Sequence, residues 1–230
     1  MKARITIGFL AIILLLYSHS VFAATIHVPT DQLTIQAGIN AAQEGDTVLV
    51  ADGTYKGIGN KDLDFRGKSI IVASQNGPQN CIIDCEGNGR GFYFHHGEST
   101  YSVVSGFTIT NGNAPYPGGG GILCEDSSPS IRDCIIVENS SLLGGGISCF
   151  GSSSSPKITD CTIQNNHSSA SGGGIFCHFS SPSITRCTLT GNTAEYGGGI
   201  RFDSSTAAMT NCVIAQNAAT VTGGGIHASY

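Results

Sequence analysis

Basic residues are scarce: 11 lysines and arginines stand against 16 aspartates and glutamates, for a formal net charge of −5. A chain this poor in cations has no electrostatic footprint for phosphate backbones, which excludes nucleic acid as a partner. No CxxC pair occurs among the nine cysteines, so a zinc cluster of the usual spacing is excluded and no metal or other cofactor is expected. Serine-hydrolase elbows, phosphate loops and dinucleotide fingerprints are missing as well, because the glycine runs lack both the spacing and a following helix. The longest apolar run, Ile5–Tyr17, is too short to favour a membrane span. Preceded by Lys2 and Arg4 and followed by Val21-Phe22-Ala23, it reads as a secretory signal over residues 1–23. Removing Lys2 and Arg4 takes the charge from −5 to −7, and the mature chain is expected without a membrane span, secreted or at the cell surface of a bacterium.

What is present is repetition. Glycine runs closed by isoleucine end at Ile122, Ile147, Ile175, Ile200 and Ile226. Four Cys-x-Ile/Leu-x-x-Asn phrases follow, with Cys134, Cys161, Cys187 and Cys212 leading to Asn139, Asn166, Asn192 and Asn217. Both series step by 27, 26 and 25 residues. A near-fixed period of this size means one supersecondary unit stacked on copies of itself, each copy burying its neighbour's apolar face.

Inside each copy the alternation has period two, the signature of strands with one buried face. Ile131, Cys134 and Ile136 recur as Ile158, Cys161 and Ile163, then as Ile184, Cys187 and Leu189, then as Met209, Cys212 and Ile214. A second strand follows each glycine run, and Ser-Ser-Pro turns at 127–129, 154–156 and 180–182 separate them. Short strands and sharp corners in about 25 residues suit one rung of a parallel β-helix, whereas a propeller blade needs about 40. The asparagine column then predicts a ladder of stacked amides at an inward corner. Asn139 and Asn166 also begin Asn-x-Ser sequons, but the column continues through Asn192 and Asn217 without one, so the ladder explains it better.

Before the repeats, Thr34–Ala42 carries the one helical pattern of the mature chain, with Thr34 as its cap and Ile35 and Ile39 on one face. It covers the open first rung, and residues 24–56 form the N-terminal cap and first strands. Less regular strands are expected at Ser69–Ala73, Cys81–Asp84, Gly91–Phe94 and Val103–Thr110. With no linker in between, 24–230 reads as one all-β domain, a right-handed parallel β-helix with a short capping helix, whose repeats occupy 118–230.

The opening HVPTDQLTIQAGINAAQEGDTVLVADGTYKG resembles the N-terminal cap of pectin-lyase-like, right-handed parallel β-helix proteins. The stretch IIDCEGNGRGFYF…VVSGFTITNGNA is similar to rungs of large secreted bacterial proteins of that superfamily. The GGGI and Cys-x-Ile-x-x-Asn phrases resemble the GGAI and FxxN repeats of chlamydial polymorphic membrane proteins, with cysteine where those carry phenylalanine. The resemblance spans nearly all of the mature chain. It implies the fold, and a superfamily that mixes lyases, hydrolases, epimerases, adhesins and plain scaffolds.

Seven cysteines fall in two inward columns, Cys124, Cys149 and Cys177 beside Cys134, Cys161, Cys187 and Cys212, and are expected as small buried apolar residues. Cys81 and Cys85, four apart, are a candidate bridge. The outward columns beside the asparagines are Ile135, Thr162, Thr188, Val213 and Val137, Gln164, Thr190, Ala215, which can neither transfer a proton nor hold a metal. The face after the glycines is more varied. Phe150, Phe176 and His178, beside Arg201 and Asp203, form a candidate sugar-stacking strip, expected to be exposed. A calcium reading of the glycine runs fails for want of the aspartates such repeats need. An early charged cluster, Asp84, Glu86, Arg90, His95, His96 and Glu98, could in principle serve catalysis, although a recurring structural phrase accounts for Asp84 and Arg90.

These readings predict an exported scaffold or adhesin-like surface module without catalytic residues, its partners being glycans or host-surface components. The alternative is a polysaccharide lyase or glycoside hydrolase, which needs charged groups converging on one outward face. The fifth copy opens at Gly223 and stops at Tyr230, which predicts a continuation or a partner over the open C-terminal end.

Overall fold

The computed structural model describes residues 23–229. Apart from Ala23, the expected signal segment lies outside the described residues. The chain winds as a parallel solenoid of about eight turns, its strands stacked into sheets of eight, seven, five and six strands. One full turn runs from Ile122–Glu125 in the six-stranded sheet to Ser130–Arg132 in the eight-stranded one, Ile135–Val137 in the seven-stranded one and Ser140–Leu143 in the five-stranded one. Ile147–Phe150 then begins the next turn beside its own copy.

Register is set by the inward columns. Ile122 pairs with Ile147, Ile147 with Ile175, Ile175 with Ile200 and Ile200 with Ile226. Ile131, Ile158, Ile184 and Met209 align in the eight-stranded sheet, and Ile136, Ile163, Leu189 and Ile214 in the seven-stranded one. A slip of one residue would turn each column to solvent, and each fully buried isoleucine contributes about 1.5–3 kcal/mol relative to exposure. The early turns fill the same interior with aromatic rings: Phe65 lies 4.9 Å from Phe94, and Phe92 lies 6.0 Å from Phe107.

Continuous alternation from Ile131 to Asn139 does not form one strand. Asp133, Asp160, Arg186 and Asn211 take φ of 53–55°, and each bends the chain just before its cysteine. The two isoleucines of a phrase therefore belong to different sheets. A second bend at Glu138, Asn165, Gly191 or Gln216 precedes each asparagine. Left-handed backbone costs a non-glycine residue roughly 1–2 kcal/mol. Hydrogen bonds to the next turn, such as Asp133 N to Thr159 O at 3.1 Å, hold the bend in place. The expected strand Val103–Thr110 likewise divides at Gly106 into Val103–Ser105 and Thr108–Thr110.

At the second corner the asparagines stack. Asn139 donates its backbone N–H and its Nδ2 to Asn166 Oδ1 at 3.0 and 3.1 Å, and Asn166 does the same to Asn192 Oδ1. Asn192 continues to Asn217, and each Nδ2 also donates to a carbonyl of the preceding turn. Gly112 occupies the same place one turn earlier and gives its N–H to Asn139 Oδ1. After the ladder the chain crosses to the next turn through the glycine runs. A Cβ on Gly145 would sit 2.6 Å from Gly173 O, so only glycine lets the backbones come this close.

The helix Ile35–Ala41 packs Ile35 and Ile39 on the core, and Thr34 Oγ1 caps it by accepting from Ala37 N. Lys68 Nζ donates to three carbonyls at its C-terminal end, Ile39, Asn40 and Ala42, where a cation is favoured. It is the one helix among the described residues, and it is too short to cross a membrane. All nine cysteines, Cys81 and Cys85 included, are free thiols. Burial pushes Cys81 and Cys85 up to about 12, which leaves them protonated and inert at neutral pH.

Candidate ligand-binding face

Each turn presents four outer faces, and two of them carry the columns read from the sequence. On the seven-stranded sheet the outward residues are Ile135, Thr162, Thr188 and Val213, then Val137, Gln164, Thr190 and Ala215. On the six-stranded sheet one column runs Tyr93, Leu123, Ser148, Phe176, Arg201, His227, and the other reads Glu125, Phe150, His178, Asp203, Ser229.

Phe150, Phe176, His178, Arg201 and Asp203 line a single cleft of about 220 Å³ on this second face. Stacking of the turns brings them together, since His178 pairs in register with Phe150 on one side and Asp203 on the other. The His178 ring lies 4.9 Å from that of Phe150 and stacks with Phe176 at 6.1 Å and 10°. His178 Nδ1 sits 2.9 Å from Asp203 Oδ2, and Asp203 Oδ1 accepts from Ser229 Oγ at 3.3 Å. Arg201 Nη2 donates to Ser229 Oγ at 2.8 Å, and its Nη1 lies 2.7 Å from His227 Nδ1. Arg201 Nε is buried without a partner. The charged groups are thus tied down by neighbours, which fixes the cleft before any ligand arrives.

The expectation that Phe176 is exposed is corrected: it is 4% exposed, and Leu123 and Ser148 in the same column are fully buried. Tyr116, Leu143 and Ser171 form the near wall of the cleft, and Ser148 Oγ donates to Pro117 O at 3.4 Å. The five-stranded sheet shifts register at Ser168–Ser171 and ends in left-handed glycines such as Gly144 and Gly172, so its strand ends fold over the first column. Sequence reasoning missed Tyr116, whose ring meets Phe150 edge-on at 6.1 Å. The two prolines flanking Tyr116 were the available signal, since they hold it in a loop rather than a strand.

The early charged cluster does not converge. Asp84 pairs with Lys56 at 2.8 Å, which holds its carboxyl down to about 2, and Glu86 pairs with Lys61. Glu98 is buried and accepts from Gly67 N, His96 N and Ser127 Oγ, so it buttresses the turns. Arg90 lies 4.7 Å above the Tyr93 ring, with its charge disfavoured by burial. Tyr93 donates to Glu125 Oε2 at 2.6 Å; burial, then that carboxylate, pushes its phenol up to about 12. His95 and His96 instead meet Asp64, which arrives from the preceding turn.

The face holds Glu125 and Asp203 in one column three strands apart, hence roughly 14 Å. Glycoside hydrolysis needs its two carboxyls within about 5–9.5 Å. A broader concavity of about 390 Å³ lies on the five-stranded sheet among Ser168, Ala194 and Ala219, but its His167 already bonds Thr193 Oγ1 at 3.0 Å.

A family model described as "Right handed beta helix region" matches residues 37–202. No curated protein and no solved structure matches the chain.

Proposed function

From the premise that the chain belongs to the right-handed β-helix family, whose fold supplies a rigid scaffold, we propose that this protein is an exported, non-catalytic surface module that binds glycan chains along its six-stranded face. The observation that carries this reading is the Phe150–His178 pair, backed by the buried Phe176 ring and flanked by Asp203 and Arg201 in one cleft. An aromatic ring offers a pyranose an apolar platform, while fixed charges beside it orient hydroxyl or carboxylate groups. Phe179, 55% exposed and 4.4 Å from His178, extends the platform towards solvent. The roughly 14 Å between Glu125 and Asp203 favours binding over hydrolysis on this face.

Calorimetric titration of the purified chain with neutral and uronate-containing polysaccharides tests the reading. The expected result is saturable binding of at least one class, without new reducing ends or unsaturated products. Absence of binding across the panel overturns the glycan assignment, and product formation overturns the non-catalytic one.

A further inference from the structure

We propose that Asp64, His95 and His96 form a binding site for a divalent transition-metal ion of the zinc type, at the N-terminal end of the six-stranded face. Leu63 bridges to Phe92, and Tyr93 N donates to Leu63 O, so Asp64 lies beside the strand Phe92–Phe94 that leads into the two histidines. One ligand atom from each of the three residues lies within 4.8 Å of the others. The strand stops at Phe94, so the chain no longer sends neighbouring side chains to opposite faces. The His95 and His96 rings consequently sit with centroids 4.0 Å apart.

Two features separate this group from an ordinary ion pair. His95 Nδ1 is buried and has no hydrogen-bond partner, although imidazole nitrogens out of water are normally satisfied. Tyr93 stacks on the His95 ring at 3.8 Å and 20°, which limits its freedom to seek one elsewhere. His96 Nδ1 already stands 3.3 Å from Asp64 Oδ1. Ligands about 2.0–2.1 Å from a tetrahedral zinc ion lie about 3.3–3.5 Å from one another, so that edge is in place. Closing the site requires the His95 nitrogen, which lies within 4.8 Å of both partners, to move towards that edge.

The supporting contacts are equally specific. Buried Glu98 accepts from His96 N at 2.9 Å and ties that residue to Gly67 and Ser127 in the neighbouring turns. Asp64 N donates to Gln36 Oε1, and Asp64 Oδ1 accepts from Arg66 N. Backbones held in this way keep a metal site organised before the ion binds. Two imidazoles and one carboxylate suit zinc and its borderline neighbours rather than calcium or magnesium, which take all-oxygen shells. A solvent molecule would complete the coordination, since His96 is exposed.

The test is titration of chelator-stripped, untagged protein with Zn²⁺, and with Co²⁺ as a spectroscopic probe. The expected result is one ion per chain, visible cobalt ligand-field bands, and at least tenfold weaker binding in His95→Gln and His96→Gln. Asp64→Asn should weaken binding similarly, whereas His167→Gln should leave it unchanged. Substoichiometric binding, or equal affinity in wild type and both histidine variants, overturns the proposal. Should a variant fail to fold, wild-type cobalt spectra decide alone: bands of a purely aqueous ion overturn it, and imidazole-coordinated bands support it.

Discussion

The seven-stranded and six-stranded sheets rise from the same turns, over the same core, yet their outer faces differ in kind. One carries only isoleucine, valine, threonine, glutamine and alanine across its four repeats, with no charge and no aromatic ring. The other changes at each step, from Phe150 to His178 to Asp203. Inward columns must repeat because each isoleucine packs on its copy, but outward positions owe little to the fold. The contrast shows where a solenoid can acquire a site without disturbing its own register.

Substitutions can break this comparison if the faces are not what they seem. The largest effect is expected at Phe176, which belongs to the varied face by register but is covered by the strand ends of the five-stranded sheet. Phe176→Ala should lower stability by about 3–5 kcal/mol, measured by denaturant unfolding. A loss below 1 kcal/mol would mean that the wall around Tyr116 and Leu143 is open. Next comes Asn166→Ala, which strips Asn139 of two hydrogen bonds, leaves its backbone N–H without its acceptor and removes the Nδ2 bond to Ile136 O. Each buried group left without a partner costs about 1–3 kcal/mol, so the melting temperature should fall clearly. Replacement of Gln164 on the inert face by alanine should stay within about 0.5 kcal/mol of wild type. Equal shifts for Asn166→Ala and Gln164→Ala would contradict the ladder as a stabilising element.

The repeats made the solenoid legible because a nearly fixed period brings like residues into one column. Ile122, Ile136 and Asn139 could be placed inward from spacing alone. The bends could not: a left-handed Asp133 looks like any polar residue in an alternating run, so two short strands read as one. Ser140–Leu143 and His167–Ser171 escaped notice because serine-rich segments with a register shift carry no apolar alternation. The cleft residues were legible as a column but their covering was not, because Tyr116 and Leu143 reach it from outside the sheet. Asp64 stood 31 positions before His95, in a segment read as neither strand nor site, and only the stacking of turns joins them.

The central claim is that the varied face, and not the inert one, engages a ligand. The most direct measurement compares dissociation constants for a bound polysaccharide across four variants of the intact chain: Phe150→Ala, His178→Ala, Thr188→Ala and Gln164→Ala. Loss of a stacking platform of about 1.4 kcal/mol or more corresponds to at least tenfold weaker binding for the first two, and no change is predicted for the last two. Equal losses on both faces, or none on either, would contradict the account.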